Sequence, residues 1–257
     1  MTFSEQIWYG MFKPSKYKEV LELKARRSVL YVVVLMLILG LVTFVMPTAA
    51  VIAGFGGMEK LFTETMSPMS YDGEELTIER PFRMAVEGSI FIIDTESYTV
   101  PDSKLERDGA YIAVGSKNIR LTTVIGGQIW SDSTMPLNQV IGAGFNNQSL
   151  VSLIPAIYVS LFICYLIMCL GYFVKYAVFA LILSIFINSV NKQMNIGLSF
   201  GQVFMLCFYG QSLGMVISNF NLAIGFIDPT IVSLVTMFVS IHFITSAVML
   251  MNKSNQV

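Results

Sequence analysis

Residues 29–53 form an uncharged, almost wholly apolar run, and a run of that length predicts a helix crossing about 30 Å of hydrocarbon. It is far longer than the roughly 7 to 15 residues of a secretory h-region, so a retained anchor is expected rather than a cleaved signal. Apolar character resumes at 150 and continues to 190, a stretch that as one helix would measure about 60 Å, twice the hydrocarbon thickness. Segment 171–175 is the expected break, because glycine weakens a helix and Lys175 is the one charge in the run. That break would give a tight hairpin of two spans. Further spans are expected at 200–220 and 231–251, separated by a loop containing Asp228 and Pro229. The pattern favours five spans, which put the C-terminus outside. The alternative is four, with the long run bent and its second half along the inner membrane surface.

Elsewhere the periodicity changes. Thr2 with Glu5 fits a capping box, and Phe3, Ile7, Met11 and Phe12 then recur at helical spacing until Pro14. With Trp8 beside that face and lysines following, the segment is expected to lie in the inner membrane surface. Packing against the rest of the protein is the competing expectation. A second helix from about residue 15 leads into the first span. Beyond Gly54, Gly56 and Gly57, alternation with period two predicts a strand over 82–86, a turn at 87–89 and a returning strand over 89–93. Segments 111–114 and 119–125 predict another hairpin. The organisation is therefore cytoplasmic N-terminal helices (1–27), a first transmembrane helix (28–53), an extracytoplasmic β-rich domain (54–148), a transmembrane bundle (149–251) and a tail (252–257). The fold class is a polytopic α-helical membrane protein carrying a small antiparallel β domain.

Composition reinforces this picture. Of 257 residues, 54% are hydrophobic and only 13% charged, and the mean hydropathy is +0.67, well outside the range of a soluble domain. The net charge of −1 hides an asymmetry. Lys13, Lys16, Lys18, Lys24, Arg26 and Arg27 precede the first span against Glu5, Glu19 and Glu22, whereas 54–148 holds thirteen acids and seven bases. Basic residues flanking a first span stay in the cytoplasm, so the N-terminus is expected inside and the acidic stretch outside. Cys164, Cys169 and Cys207 all fall in apolar runs, which leaves the β domain without a disulfide framework.

The search for chemistry yields little. Residues 210–214 match the G-x-S-x-G nucleophile pattern around Ser212, and His242 is the only histidine. The elbow that this pattern serves needs a strand, a sharp turn and a helix, whereas Ser212 falls inside an expected span. Gly197, Gly201, Gly210 and Gly214 form two small-xxx-small pairs, and close helix packing is the favoured use of them. His242 is expected to bond a serine or asparagine on a neighbouring helix. Asp72, Glu74 and Glu75 lack the alternating spacing of a calcium loop and suggest a solvated turn. No catalytic residue, metal site or cofactor is expected, and no segment has the basic and aromatic composition of a nucleic-acid surface. Lys175, Asn188, Gln202, Gln211 and Asn219 are too few, and too seldom charged, to predict a transport path alone.

The succession of an aromatic helix ending Phe12-Lys13-Pro14, a span, a β domain and closely spaced spans resembles domain-of-unknown-function family 1189, Bacillota membrane proteins sometimes labelled maltodextrin utilisation protein MalA. Asp72-Gly73-Glu74-Glu75-Leu76, Pro81-Phe82 and Ile92-Ile93-Asp94-Thr95 carry the resemblance in the β domain. The spans are distantly similar to Yip-type proteins, which implies an N-inside, five-span arrangement in a bacterial plasma membrane. The expected partners are the lipid bilayer and a membrane or envelope protein, with homo-oligomers also compatible. The expected role is that of a non-enzymatic accessory, scaffold or sensor. Membership of a solute permease, such as one for maltodextrin, is the alternative, and an intramembrane serine hydrolase a remote one.

Overall fold

The computed structural model describes residues 1–86, 89–105 and 107–255. In chain order it contains α1 (Phe3–Phe12), a 3₁₀ turn (Pro14–Lys16), α2 (Tyr17–Leu21), α3 (Ala25–Gly40), a π-turn (Leu41–Val45), α4 (Met46–Gly54), α5 (Met58–Lys60) and a second π-turn (Leu61–Thr65). The strands β1 (Met69–Tyr71), β2 (Leu76–Ile78), β3 (Phe82–Val86), β4 (Ser89–Ile93), β5 (Gly109–Val114), β6 (Asn118–Ile125) and β7 (Gln128–Pro136) follow. The last elements are α6 (Asn147–Ser152), α7 (Ile154–Gln193), α8 (Phe200–Ile224) and α9 (Pro229–Asn255). Two compact units result, one of residues 1–46 with 163–257 and one of residues 47–162.

Among the described residues, four helices are long and apolar enough to cross a membrane: Arg26–Gly54, Ile154–Gln193, Phe200–Ile224 and Pro229–Lys253. The first stays continuous through Pro47 because of its π-turn. A proline ring clashes with the carbonyl four residues earlier, here that of Thr43, and a widened turn relieves the clash. The hairpin expected at 171–175 is not formed, since α7 runs unbroken for 40 residues. Glycine in a helix costs only about 1 kcal/mol. A break in an apolar setting would instead strand several backbone groups, each costing several kcal/mol.

Most of α7 is exposed, and its buried residues, among them Cys169, Tyr172, Tyr176, Ala180 and Ser184, recur at helical spacing. An all-round apolar helix with so narrow a buried stripe fits lipid rather than water. In the helical unit that stripe joins a core containing Tyr17, Val20, Tyr31, Leu39, Leu206, Tyr209, Ile244 and Met251. The N-terminal α2 and the last turns of α9 thus share one core.

In the other unit, β1 and β2 form a two-stranded sheet and the remaining strands a five-stranded sheet in sequence order. The predicted strands over 82–86 and 89–93 are present, paired with Phe82 opposite Ile93. Glu87 and Gly88 of the expected turn lie outside the described residues. The hairpin of β5 with β6 is also present, with Ile112 opposite Leu121. One pair departs from the antiparallel expectation: β4 and β5 are parallel, Ile90 lying opposite Tyr111. The connection between them is long enough to cross over, which a parallel pair requires. One face of the sheet packs Ile90, Ile92, Tyr111, Ala113 and Val124 over Val100 and Leu105. Part of the other packs Phe82, Ile93 and Val114 over Leu61, Tyr71 and Leu137.

Candidate functional site

The helical unit joins its elements through a seam of small and polar side chains. At its start the capping box forms as the sequence implies: the Glu5 amide donates to Thr2 Oγ1 at 3.2 Å and the Thr2 amide to Glu5 Oε2 at 2.6 Å. The inner face of α1 is set by Gln6 and Gly10, both buried. Phe3, Ile7 and Met11 pack against the helical core, which corrects their expected place on the membrane surface. Trp8 and Phe12 are exposed and stack with centroids 4.5 Å apart, so only this part of the face is free for a lipid headgroup region. The cause is hydrogen bonding. Gln6 Nε2 donates to the Tyr209 hydroxyl at 2.8 Å and to the Arg27 carbonyl at 3.4 Å, and Tyr209 donates to Ser28 Oγ at 3.3 Å. The Tyr17 hydroxyl donates to the Gly10 carbonyl at 2.8 Å. A Cβ on Gly10 would lie 2.9 Å from both Tyr209 Cδ1 and the Tyr31 oxygen, so only glycine admits this approach.

The two small-xxx-small pairs have different fates. Gly197 lies in the loop before α8 with φ +83, and among the described residues nothing lies within 4 Å of where a Cβ would sit on it or on Gly201. The packing role expected of this first pair is therefore not seen, because the pair is interrupted by the start of the helix. At Gly210 the Cβ position is taken by Ile244, and at Gly214 it would lie 3.0 Å from Ser240 Oγ and 3.1 Å from Thr236 Cβ. At this second pair α8 and α9 approach closely. Gly40 does the same for α3 and α7, against Tyr165 and Cys169.

Polar groups at the same depth are engaged between or within helices. Gln211 Nε2 donates to the Tyr176 carbonyl at 2.9 Å, Asn219 Nδ2 to the Tyr176 hydroxyl at 2.6 Å, and the Tyr172 hydroxyl to Thr43 Oγ1 at 2.9 Å. Ser212 is fully buried and its Oγ donates to the Phe208 carbonyl at 3.0 Å. His242 is exposed on α9, so the bond expected from it to a neighbouring helix is absent among the described residues. Residues 236, 240 and 244 of α9 face α8, and at 100° per residue His242 lies about 160–200° from that face. The Ser212 and His242 side chains are not brought together.

In the β unit the acidic motif is a turn. Asp72 Oδ1 accepts from the amides of Glu74 and Glu75, each at 2.8 Å, and these bonds hold its carboxyl below the usual range. Glu75 pairs with Lys117 at 3.0 Å. Asp94, in the resembling segment at 92–95, is buried and bonded to Lys104. A more consequential group is Arg120, missed by the pattern because arginine at an alternating strand position reads as solvent-facing. It is buried, donating from Nε and Nη2 to Asp132 at 2.8 and 2.7 Å, pairing with Asp102 at 2.5 Å and reaching the Val100 carbonyl at 3.1 Å. An open cavity of about 460 Å³ is lined by residues including Glu75, Thr95, Glu96 and Tyr98. Of the aromatic groups that could stack on a sugar, Tyr111 is buried, Lys117 covers Tyr98 at 4.5 Å, and Trp130 is exposed. No group of three metal-ligating side chains occurs among the described residues.

These features define a helical protein with four helices of membrane-spanning length and hydropathy, a glycine-lined helix seam and a small β unit inserted after the first long helix. The chain belongs to the family described as protein of unknown function DUF1189, whose model matches residues 4–250. No curated protein and no solved structure matches it.

Proposed function

We propose that the chain is a non-enzymatic accessory, scaffold or sensor protein of the bacterial plasma membrane that holds its β unit outside the cell for a membrane or envelope protein partner. The observation that carries this reading is the use of α8. The groups on it that could do chemistry or line a path, Gln211, Ser212 and Asn219, are spent on intramolecular hydrogen bonds in a close-packed seam. Replacing either catalytic candidate tests it: Ser212→Ala and His242→Ala are each expected to complement a deletion strain fully at normal protein levels. Loss of complementation in both would restore the hydrolase reading. Membership of a permease stays as the second reading, favoured only by polar Asn188, Asn191 and Lys192 around a second open cavity.

For topology we propose four crossings, with both ends in the cytoplasm. The core shared by α2 and the end of α9 supports this, as do Lys192 and Lys253, which then lie on the same side as the N-terminal lysines. A cysteine placed after Val257 should resist a membrane-impermeant thiol reagent in intact cells while one at Trp130 reacts. Labelling of both would return the count to five.

A further inference from the structure

Lys175 is exposed in the middle of α7, and among the described residues the contact it makes is with the ring of Tyr176, Nζ lying 5.3 Å from the centroid. Its depth follows from the neighbouring helix. The Tyr176 carbonyl accepts from Gln211, which has eleven residues of α8 on one side and thirteen on the other. At 1.5 Å per residue this level is about 17 Å from one end of α8 and about 20 Å from the other. Lys175 therefore sits near the centre of a bilayer that α7 and α8 both cross.

A cation at that depth is rare and costly unless it faces the bundle interior, a water-filled path or a carboxylate. Tyr176 turns to the core, whereas Lys175 shares an exposed side of α7 with Gly171, Val178 and Ile182, spaced four, three and seven residues from it. Its stem is too short to carry the ammonium to the headgroups, because about 15 Å of hydrocarbon separates the centre from either surface.

The chain holds no counter-ion for it. The first spanning helix contains no acid, and after Asp132 the sequence has one, Asp228, in the loop before α9. A second copy would bring the same spans and so no carboxylate at this depth. We propose that Lys175 is the contact point for a transmembrane helix of a different membrane protein, and that it ion-pairs there with an aspartate or glutamate at mid-membrane depth. Gly171, one turn away, lets that helix come close, since among the described residues nothing lies within 4 Å of where its Cβ would sit. The inference deepens the accessory reading by giving the partner a contact inside the membrane, and it rests on that reading and on the four crossings.

Photoreactive p-benzoylphenylalanine in place of Val178 in the full chain, irradiated in native membranes, should join it to one other protein, through a spanning segment of that protein that contains aspartate or glutamate. Adding Lys175→Leu should cut the adduct about tenfold or more at unchanged protein level, whereas Lys175→Arg should keep most of it. Leucine suits lipid better than lysine does, so a lysine that met lipid alone would give no such loss. An adduct indifferent to Lys175→Leu, a joined segment without an acid, a product of twice the chain mass, or lipid adducts alone would each overturn the proposal. If the parent chain is then still recovered in a stoichiometric complex, this contact falls and the accessory role stands; if no complex is recovered, both fall. Reaction of Lys175→Cys with a membrane-impermeant thiol reagent in opened membranes, above the background of the parent cysteines, would place residue 175 in water and overturn the contact together with the four crossings.

Discussion

Gly210→Leu is expected to be the most damaging single substitution in the helical unit. The place of its Cβ is already occupied by Ile244, which is fully buried and belongs to α9. Four added carbons cannot be absorbed by rotating one side chain, because Tyr209, Leu206 and Val248 fill the same core. Overpacking of this kind costs about 3 kcal/mol, out of a total stability on the order of 10 kcal/mol. For a chain of this size that corresponds to a drop in Tm of roughly 6–12 °C, readable as thermal loss of the monodisperse species in detergent, with lower steady-state protein. Gly201→Leu supplies the comparison. Among the described residues nothing lies within 4 Å of its Cβ position, so it should lower stability by no more than about 0.5 kcal/mol. Helix propensity alone would make both changes neutral or stabilising, so equal damage from both would mean that the contact with Ile244 does not decide the outcome.

Arg120→Met should be the corresponding lesion in the β unit. It keeps most of the apolar stem but leaves Asp132 and Asp102 without their cation and the Val100 carbonyl without a donor. Breaking a fully buried pair costs about 3–5 kcal/mol. Both carboxylates here retain contact with water, so about 2 kcal/mol is the reasonable expectation. The same pair sets an acid limit. Arg120 first, and Thr122 as well, hold the Asp132 carboxyl below its usual range. Its contribution is therefore complete above the unfolded carboxylate pKa near 4 and fades as pH falls through the lower folded value. In Arg120→Met that portion of the acid dependence should vanish, leaving a flatter decline below pH 4 in near-ultraviolet circular dichroism. An unchanged acid profile would show that the pair does not stabilise the unit.

The long helices could be read from the sequence because lipid rewards uninterrupted apolar runs, and β3 to β6 because alternate residues enter a core. Reading failed where the deciding interaction was not local. Gly171 and Lys175 look like a break, yet a continuous backbone satisfies more hydrogen bonds than a turn would. β7 has no buried face and so no alternation to detect. Gly197 with Gly201 and Gly210 with Gly214 have the same spacing, but only the second pair meets a neighbouring helix. Gln6 and Tyr209 are 203 residues apart. A glutamine between Phe3 and Ile7 on an apolar face was the available sign that this face is covered by protein and not by lipid.

A chain that acts by holding a partner, rather than by transforming a substrate, should leave the membrane with that partner. The direct measurement is affinity purification of the full chain from native membranes in a mild detergent, with the mass of the intact particle determined. The expected result is a stoichiometric complex with one or a few membrane or envelope proteins, lost when the β unit is destabilised by Arg120→Met and retained in Ser212→Ala. Recovery of the chain by itself under conditions that preserve other membrane complexes would contradict it.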